Sequence, residues 1–77
     1  MLIYYKDKGK KTKQTINRYA LVISNQGCII STTKNKANAV QFNSNVLSSC
    51  KAFYEKIQLS QEAEKMMKAR TLEIFYE

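Results

Sequence analysis

Tyr19-Ala20-Leu21-Val22-Ile23-Ser24 runs into Asn25-Gln26-Gly27 and then into Cys28-Ile29-Ile30-Ser31-Thr32-Thr33. The outer runs are rich in β-branched and aromatic residues, which suit a pleated, half-buried surface. Gly27 can take a positive φ and close a three-residue turn. The stretch predicts an antiparallel hairpin, with residues 15–18 as an extension of its first strand.

Upstream, Leu2-Ile3-Tyr4-Tyr5 reads as a short first strand. Residues 6–14 hold no apolar side chain but carry Gly9 and five lysines: Lys6, Lys8, Lys10, Lys11 and Lys13. They read as a flexible basic loop or ribbon tip, kept open by charge repulsion. Downstream, residues 34–38 form a polar turn, and Ala39-Val40-Gln41-Phe42 reads as a further short strand. Asn43 or Ser44 then offers a helix cap. From Val46 the apolar period lengthens to about 3.6, placing Val46, Leu47, Cys50, Phe53, Tyr54 and Ile57 on one side of a helix. Ser60 offers a second cap, so a bend or two short helices is expected there, with one continuous helix as the alternative. Ala63, Met66, Met67 and Arg70 continue the helical spacing. Residues 71–77 return to period two, with Leu72, Ile74 and Tyr76 on one face and Glu73 and Phe75 on the other.

These elements make an α/β (α+β) fold. A small, mostly antiparallel sheet of four to five strands packs against one or two helices in the order β-β-β-β-α(α)-β. At 77 residues the chain has room for a single domain. Its core is thin, and self-association into a homodimer is compatible with that.

The net charge is +7, and it is uneven. Residues 1–18 carry five net positive charges, residues 19–54 carry three, and residues 55–77 carry one net negative charge. Such a field favours nucleic acid, anionic lipid or an acidic protein surface. No apolar run approaches the roughly 20 residues that a membrane helix needs. Two cysteines, Cys28 and Cys50, make no disulfide framework and suit a reducing, cytoplasmic setting.

The chain has no histidine, and its one aspartate, Asp7, lies among lysines. That removes the usual general base, most triads and most transition-metal sites. Neither a glycine-rich phosphate loop nor Cys-x-x-Cys occurs. The expectation is a protein without enzymatic activity, metal or cofactor.

Two sites carry positive signal. The first is Lys6, Lys8, Lys10, Lys11 and Lys13 with Arg18 behind them, and Tyr5 and Tyr19 (with Tyr4) at the base. Lysines supply phosphate contacts, and tyrosines can stack on unpaired bases. The second is a protein-binding face built around Met66, Met67, Arg70 and Phe75, where methionines give adaptable apolar contact. The favoured reading is a stoichiometric binding or modulator protein. Its partner would be a protein or protein–nucleic-acid complex with an acidic surface. Weakly selective binding of RNA or single-stranded DNA is the first alternative, and a self-assembling structural subunit the second.

The hairpin, the segment Asn38-Ala39-Val40-Gln41-Phe42 and the amphipathic helix together resemble the very small Lys/Asn/Ile-rich proteins of phages and mobile elements. The resemblance implies an accessory factor that modulates a host machine. Inhibitors of host defence complexes are one such class. It is one of style, and it carries over no functional residue.

Overall fold

The computed structural model of the protein describes residues 1–9, 11–64 and 73–77. Four strands form one antiparallel sheet: β1 (Ile3–Lys8), β2 (Thr15–Ile23), β3 (Ile29–Thr33) and β4 (Ile74–Tyr76). Their order across the sheet is β3-β2-β1-β4. Among the described residues one α-helix, α1 (Ser44–Glu64), lies between β3 and β4 in the chain. The fold is thus the mixed sheet-and-helix architecture that the residue periodicities imply.

The hairpin forms where the sequence places it. Ser24 and Cys28 close the three-residue turn, with the Ser24 amide donating to the Cys28 carbonyl at 2.9 Å. Gly27 adopts φ 97°, in the left-handed region that a side chain disfavours. Above the turn the β2–β3 register shifts twice, between Ala20 and Val22 and again between Val22 and Ile23. A one-residue slip exchanges the two faces of a strand. The second shift pairs Ile23 with Ile29, and both pack against the core.

Helix α1 starts at Asn43, whose side-chain oxygen accepts from the Val46 amide at 3.2 Å. This is the N-cap geometry that offsets one orphan donor. Leu47, Cys50 and Tyr54 from α1 are buried with Ile3, Ala20 and Ile74 from the sheet, and Val46, Phe53 and Ile57 pack around them. Two contacts fix the helix against the hairpin. The Ile29 amide donates to the Tyr54 hydroxyl at 3.1 Å. The Gly27 backbone lies against α1 so closely that a Cβ there would stand 2.3 Å from the Ser49 carbonyl oxygen. Lys51 reaches over the Tyr76 ring, 5.2 Å from its centroid, tying α1 to β4.

Three expectations need correction. Residues 39–42 form no strand. A 3₁₀ turn at Lys36–Asn38 leads into them, begun by Asn35, whose side chain accepts from the Ala37 amide. They continue in irregular backbone to Phe42, which exchanges backbone hydrogen bonds with Met1. The segment steps from one layer to the other, so its bonds go to a chain end rather than to a strand edge. The basic stretch is also shorter as a loop than expected. Lys6, Asp7 and Lys8 are strand residues paired with Asn17, Ile16 and Thr15. Cross-strand bonds override the lack of apolar residues there, and the loop is confined to the tip beyond Gly9. Finally, α1 runs through Ser60 as one helix to Glu64. With no glycine or proline near Leu59, nothing in the backbone forces a break. The helical and strand spacing expected over residues 65–72 lies outside the described residues.

A Gly27→Ala variant is expected to lose at least about 1–3 kcal/mol from the left-handed backbone alone. It should also shift the helix away from the turn. Gly9→Ala should be milder, because the nearest obstacle is the movable Thr12 hydroxyl. Urea unfolding followed by circular dichroism checks both. Equal midpoints for the two variants would contradict this packing.

Candidate functional site

In an antiparallel sheet, directly paired residues share a face. Tyr4 pairs with Tyr19 on one side and Phe75 on the other, and Tyr19 pairs with Thr33. Thr33, Tyr19, Tyr4 and Phe75 therefore form a row across all four strands, about 14 Å long at ordinary strand spacing. This face is opposite the one that carries Ile3, Ala20 and Ile74 against α1. The Tyr4 ring contacts Tyr19 with centroids 5.1 Å apart and Phe75 with centroids 5.6 Å apart. Tyr19 is buried, while Tyr4 and Phe75 are half-buried.

Alternation along β1 puts Lys6 and Lys8 on this same face, beside Asn17 and Thr15 of β2. Both lysines are exposed. The Lys6 ammonium lies 4.8 Å from the centroid of the Phe75 ring. An exposed cation–π contact of this kind is worth about 0.5–1 kcal/mol. Beside the row, on the side of Leu2, Lys36 pairs with Glu77. The Glu77 carboxylate, through its hydrogen bond and its charge, holds the Lys36 ammonium above its ordinary pKa.

On the other side of the row β1 and β2 run on to their tip, where Lys11 and Lys13 are exposed. The Lys13 amide donates to the Gly9 carbonyl at 3.0 Å, and Lys13 itself sits at φ 56°. A side chain in that region costs about 1–2 kcal/mol relative to right-handed backbone. The tip thus holds a lysine where glycine or asparagine would be the easier residue.

The structure divides the residues singled out from the sequence. Lys6, Lys8 and Tyr19 share the helix-free face, and Lys11 and Lys13 extend from it. Tyr5 and Arg18 do not belong with them. They pair with each other on the helix side, where Tyr5 packs against the core. Arg18 is held there by Asp7, with Nε 3.5 Å from the carboxylate. Phe75, expected in a protein-binding face, instead joins Tyr4 in the aromatic row. Tyr4 and Lys36 complete the site. Period-two alternation is the signal for Tyr4, whereas nothing local in the sequence marks Lys36. Lys10, Met66, Met67 and Arg70 lie outside the described residues. Protein-family models, curated proteins and solved structures yield no match to this chain.

The remaining chemistry is sparse. Cys28 and Cys50 are free thiols. Burial pushes the Cys50 thiol above its ordinary pKa, so at neutral pH it stays protonated and poorly nucleophilic. Burial likewise raises the Tyr54 hydroxyl, whose part is to accept the Ile29 amide. A surface hollow of about 570 Å³ lies between the hairpin turn and α1, lined by Gln26, Ala52, Phe53, Lys56 and Ile57. None of these supplies a carboxylate, thiol or hydroxyl. Among the described residues no group of three or more His, Cys, Asp or Glu side chains is placed to hold a metal ion. No helix among them is long and apolar enough to cross a membrane.

Lys13→Gly relieves the left-handed strain and removes one positive charge from the tip. Its unfolding free energy is expected to rise by about 0.5–1 kcal/mol, the strain relieved less the extra freedom of an unfolded glycine. Thermal unfolding checks this. A lower midpoint than the parent's would mean that the Lys13 side chain contributes more to folding than its backbone strain costs.

Proposed function

We propose that the protein is a non-catalytic binding module that acts stoichiometrically, in the cytoplasm, on a macromolecular partner with an anionic surface. The observation that carries this reading is the placement of charge on the β1–β2 ribbon. Lys6, Lys8, Lys11 and Lys13 are exposed along it, and its one carboxylate, Asp7, is engaged by Arg18 on the opposite face. Lysines arranged this way raise the local concentration of an anion and speed encounter, and they do so in a salt-dependent manner. A folded scaffold behind them fixes orientation. The free thiols and the open hollow offer no comparable arrangement for catalysis.

The test separates placement from net charge. A Lys8→Gln/Lys11→Gln/Lys13→Gln variant is compared with a Lys34→Gln/Lys51→Gln/Lys56→Gln variant. Each lowers the formal charge from +7 by the same three units. Binding to a fluorescent single-stranded RNA pool and to fluorescent polyglutamate is read by anisotropy at about 50 and 200 mM salt, a range over which phosphate-contact binding falls steeply. The ribbon variant is expected to lose most binding to at least one polyanion while the control variant retains it. Equal loss in both variants would reduce the effect to net charge, and no binding by the parent chain at low salt would remove the reading.

A further inference from the structure

We infer that the helix-free face of the sheet is a stacking platform for single-stranded nucleic acid, with Phe75, backed by Tyr4, receiving a base and Lys6 and Lys8 receiving the phosphates beside it. The inference rests on the stoichiometric-binding reading and names its partner.

Three observations carry it. The first is the register: Tyr19, Tyr4 and Phe75 stand side by side across three strands, on the face that α1 leaves uncovered. The rings are tilted or stacked against one another and Tyr19 is buried, so the row ends on Phe75, where any base can continue the stack because every base has a π-face. The second is charge. Lys6 and Lys8 follow Tyr4 at two-residue intervals, so their ammonium groups flank the rings on the same face. The acids are otherwise placed. Asp7 pairs with Arg18 on the helix side, and Glu77 pairs with Lys36 on the side of the row away from Lys6 and Lys8. Glu73, exposed just before β4, is the one carboxylate left at the rim among the described residues. The third is the seat of Lys6, whose ammonium lies over the Phe75 ring in the free protein. A base arriving on Phe75 displaces that ammonium toward its own phosphate. The exposed cation–π contact given up is the weaker of the two, since base–aromatic stacking contributes more.

The same features select a single strand over a duplex. In a duplex the base faces are hidden in the stack, and the rings of a flat sheet cannot reach them. Among the described residues, no helix carries lysines densely enough to enter a groove. An acidic protein would satisfy the lysines but would not require the rings.

The test uses fluorescence anisotropy with labelled U12, dT12, a 12-base-pair duplex and polyglutamate. It compares the full chain with Phe75→Leu, Tyr4→Leu, Lys6→Gln/Lys8→Gln and Glu73→Gln variants. Leucine preserves apolar bulk and removes the ring, and thermal melts confirm that each variant folds. Single strands are expected to bind more tightly than the duplex. Phe75→Leu should weaken single-strand binding roughly five- to 100-fold without changing its salt slope, as removal of one base-stacking ring implies. Lys6→Gln/Lys8→Gln should flatten the slope by about 0.7 for each phosphate that is no longer neutralised. Glu73→Gln should tighten binding. If Phe75→Leu and Tyr4→Leu both bind single strands like the parent, the platform is wrong, and binding that remains salt-dependent leaves the anionic-partner reading intact. If polyglutamate binds as tightly as U12 and is equally indifferent to the rings, the partner is an acidic protein. If no polyanion binds at about 50 mM salt, both readings fall. Should either leucine variant not fold, Phe75→Tyr, which keeps a stackable ring, serves as the second probe. It should bind like the parent, and an order-of-magnitude loss on that change would overturn the platform.

Discussion

At Gly27 the backbone of the β2–β3 turn comes within a methyl group's width of α1, beside the Ser49 carbonyl and the Cys50 amide. That approach requires a residue without a side chain, and the left-handed φ at the same position requires it again. Next to it, the Ile29 amide gives its hydrogen bond to Tyr54. A neighbouring register shift leaves the edge of β3 irregular there, and a buried amide without a partner would be costly. Together these contacts decide which face of the sheet the helix covers and where along the hairpin it lies.

Everything on the second face follows from that choice. Strand residues alternate, so the helix that buries Ile3, Ala20 and Ile74 leaves Tyr4, Lys6, Lys8 and Phe75 on the other side. Charge is sorted by the same alternation. Asp7 and Arg18 neutralise each other on the helix side, and the lysines of β1 are left facing away from Asp7. A run that looks like a simple mixture of charges in sequence thus becomes a one-sided basic surface. Its aromatic residues come from three separate parts of the chain, and the register of β1 with β2 and β4 brings them into line.

Much of the fold is legible in the residues. The hairpin, its glycine turn, the helical face from Val46 to Ile57 and the final strand at Ile74 all rest on local periodicity and turn chemistry, and these survive packing. The misreadings have physical causes. Residues 39–42 look like a strand because they are apolar, yet their backbone bonds go to Met1. Lys6 and Lys8 look like loop because they are charged, yet a two-stranded ribbon needs only one protected face. The site is legible by residue type and illegible by side. Sequence proximity groups Tyr5 and Arg18 with the lysines, and the strand period sends them to the opposite face. Phe75 joins Tyr4 only through a pairing between the first and last strands, which no local pattern reveals.

On the proposed reading the two sheet faces have separate tasks, one closed by the helix and the other offered to an anionic partner. The most direct measurement is an NMR titration of the uniformly ¹⁵N-labelled chain with U12. Amide perturbations are expected to concentrate in β1, β4 and the β1–β2 tip, with the amides of Cys50, Tyr54 and Gly27 unmoved. Perturbations centred on α1 and the Gly27 turn, with Tyr4, Lys6 and Phe75 silent, would contradict it.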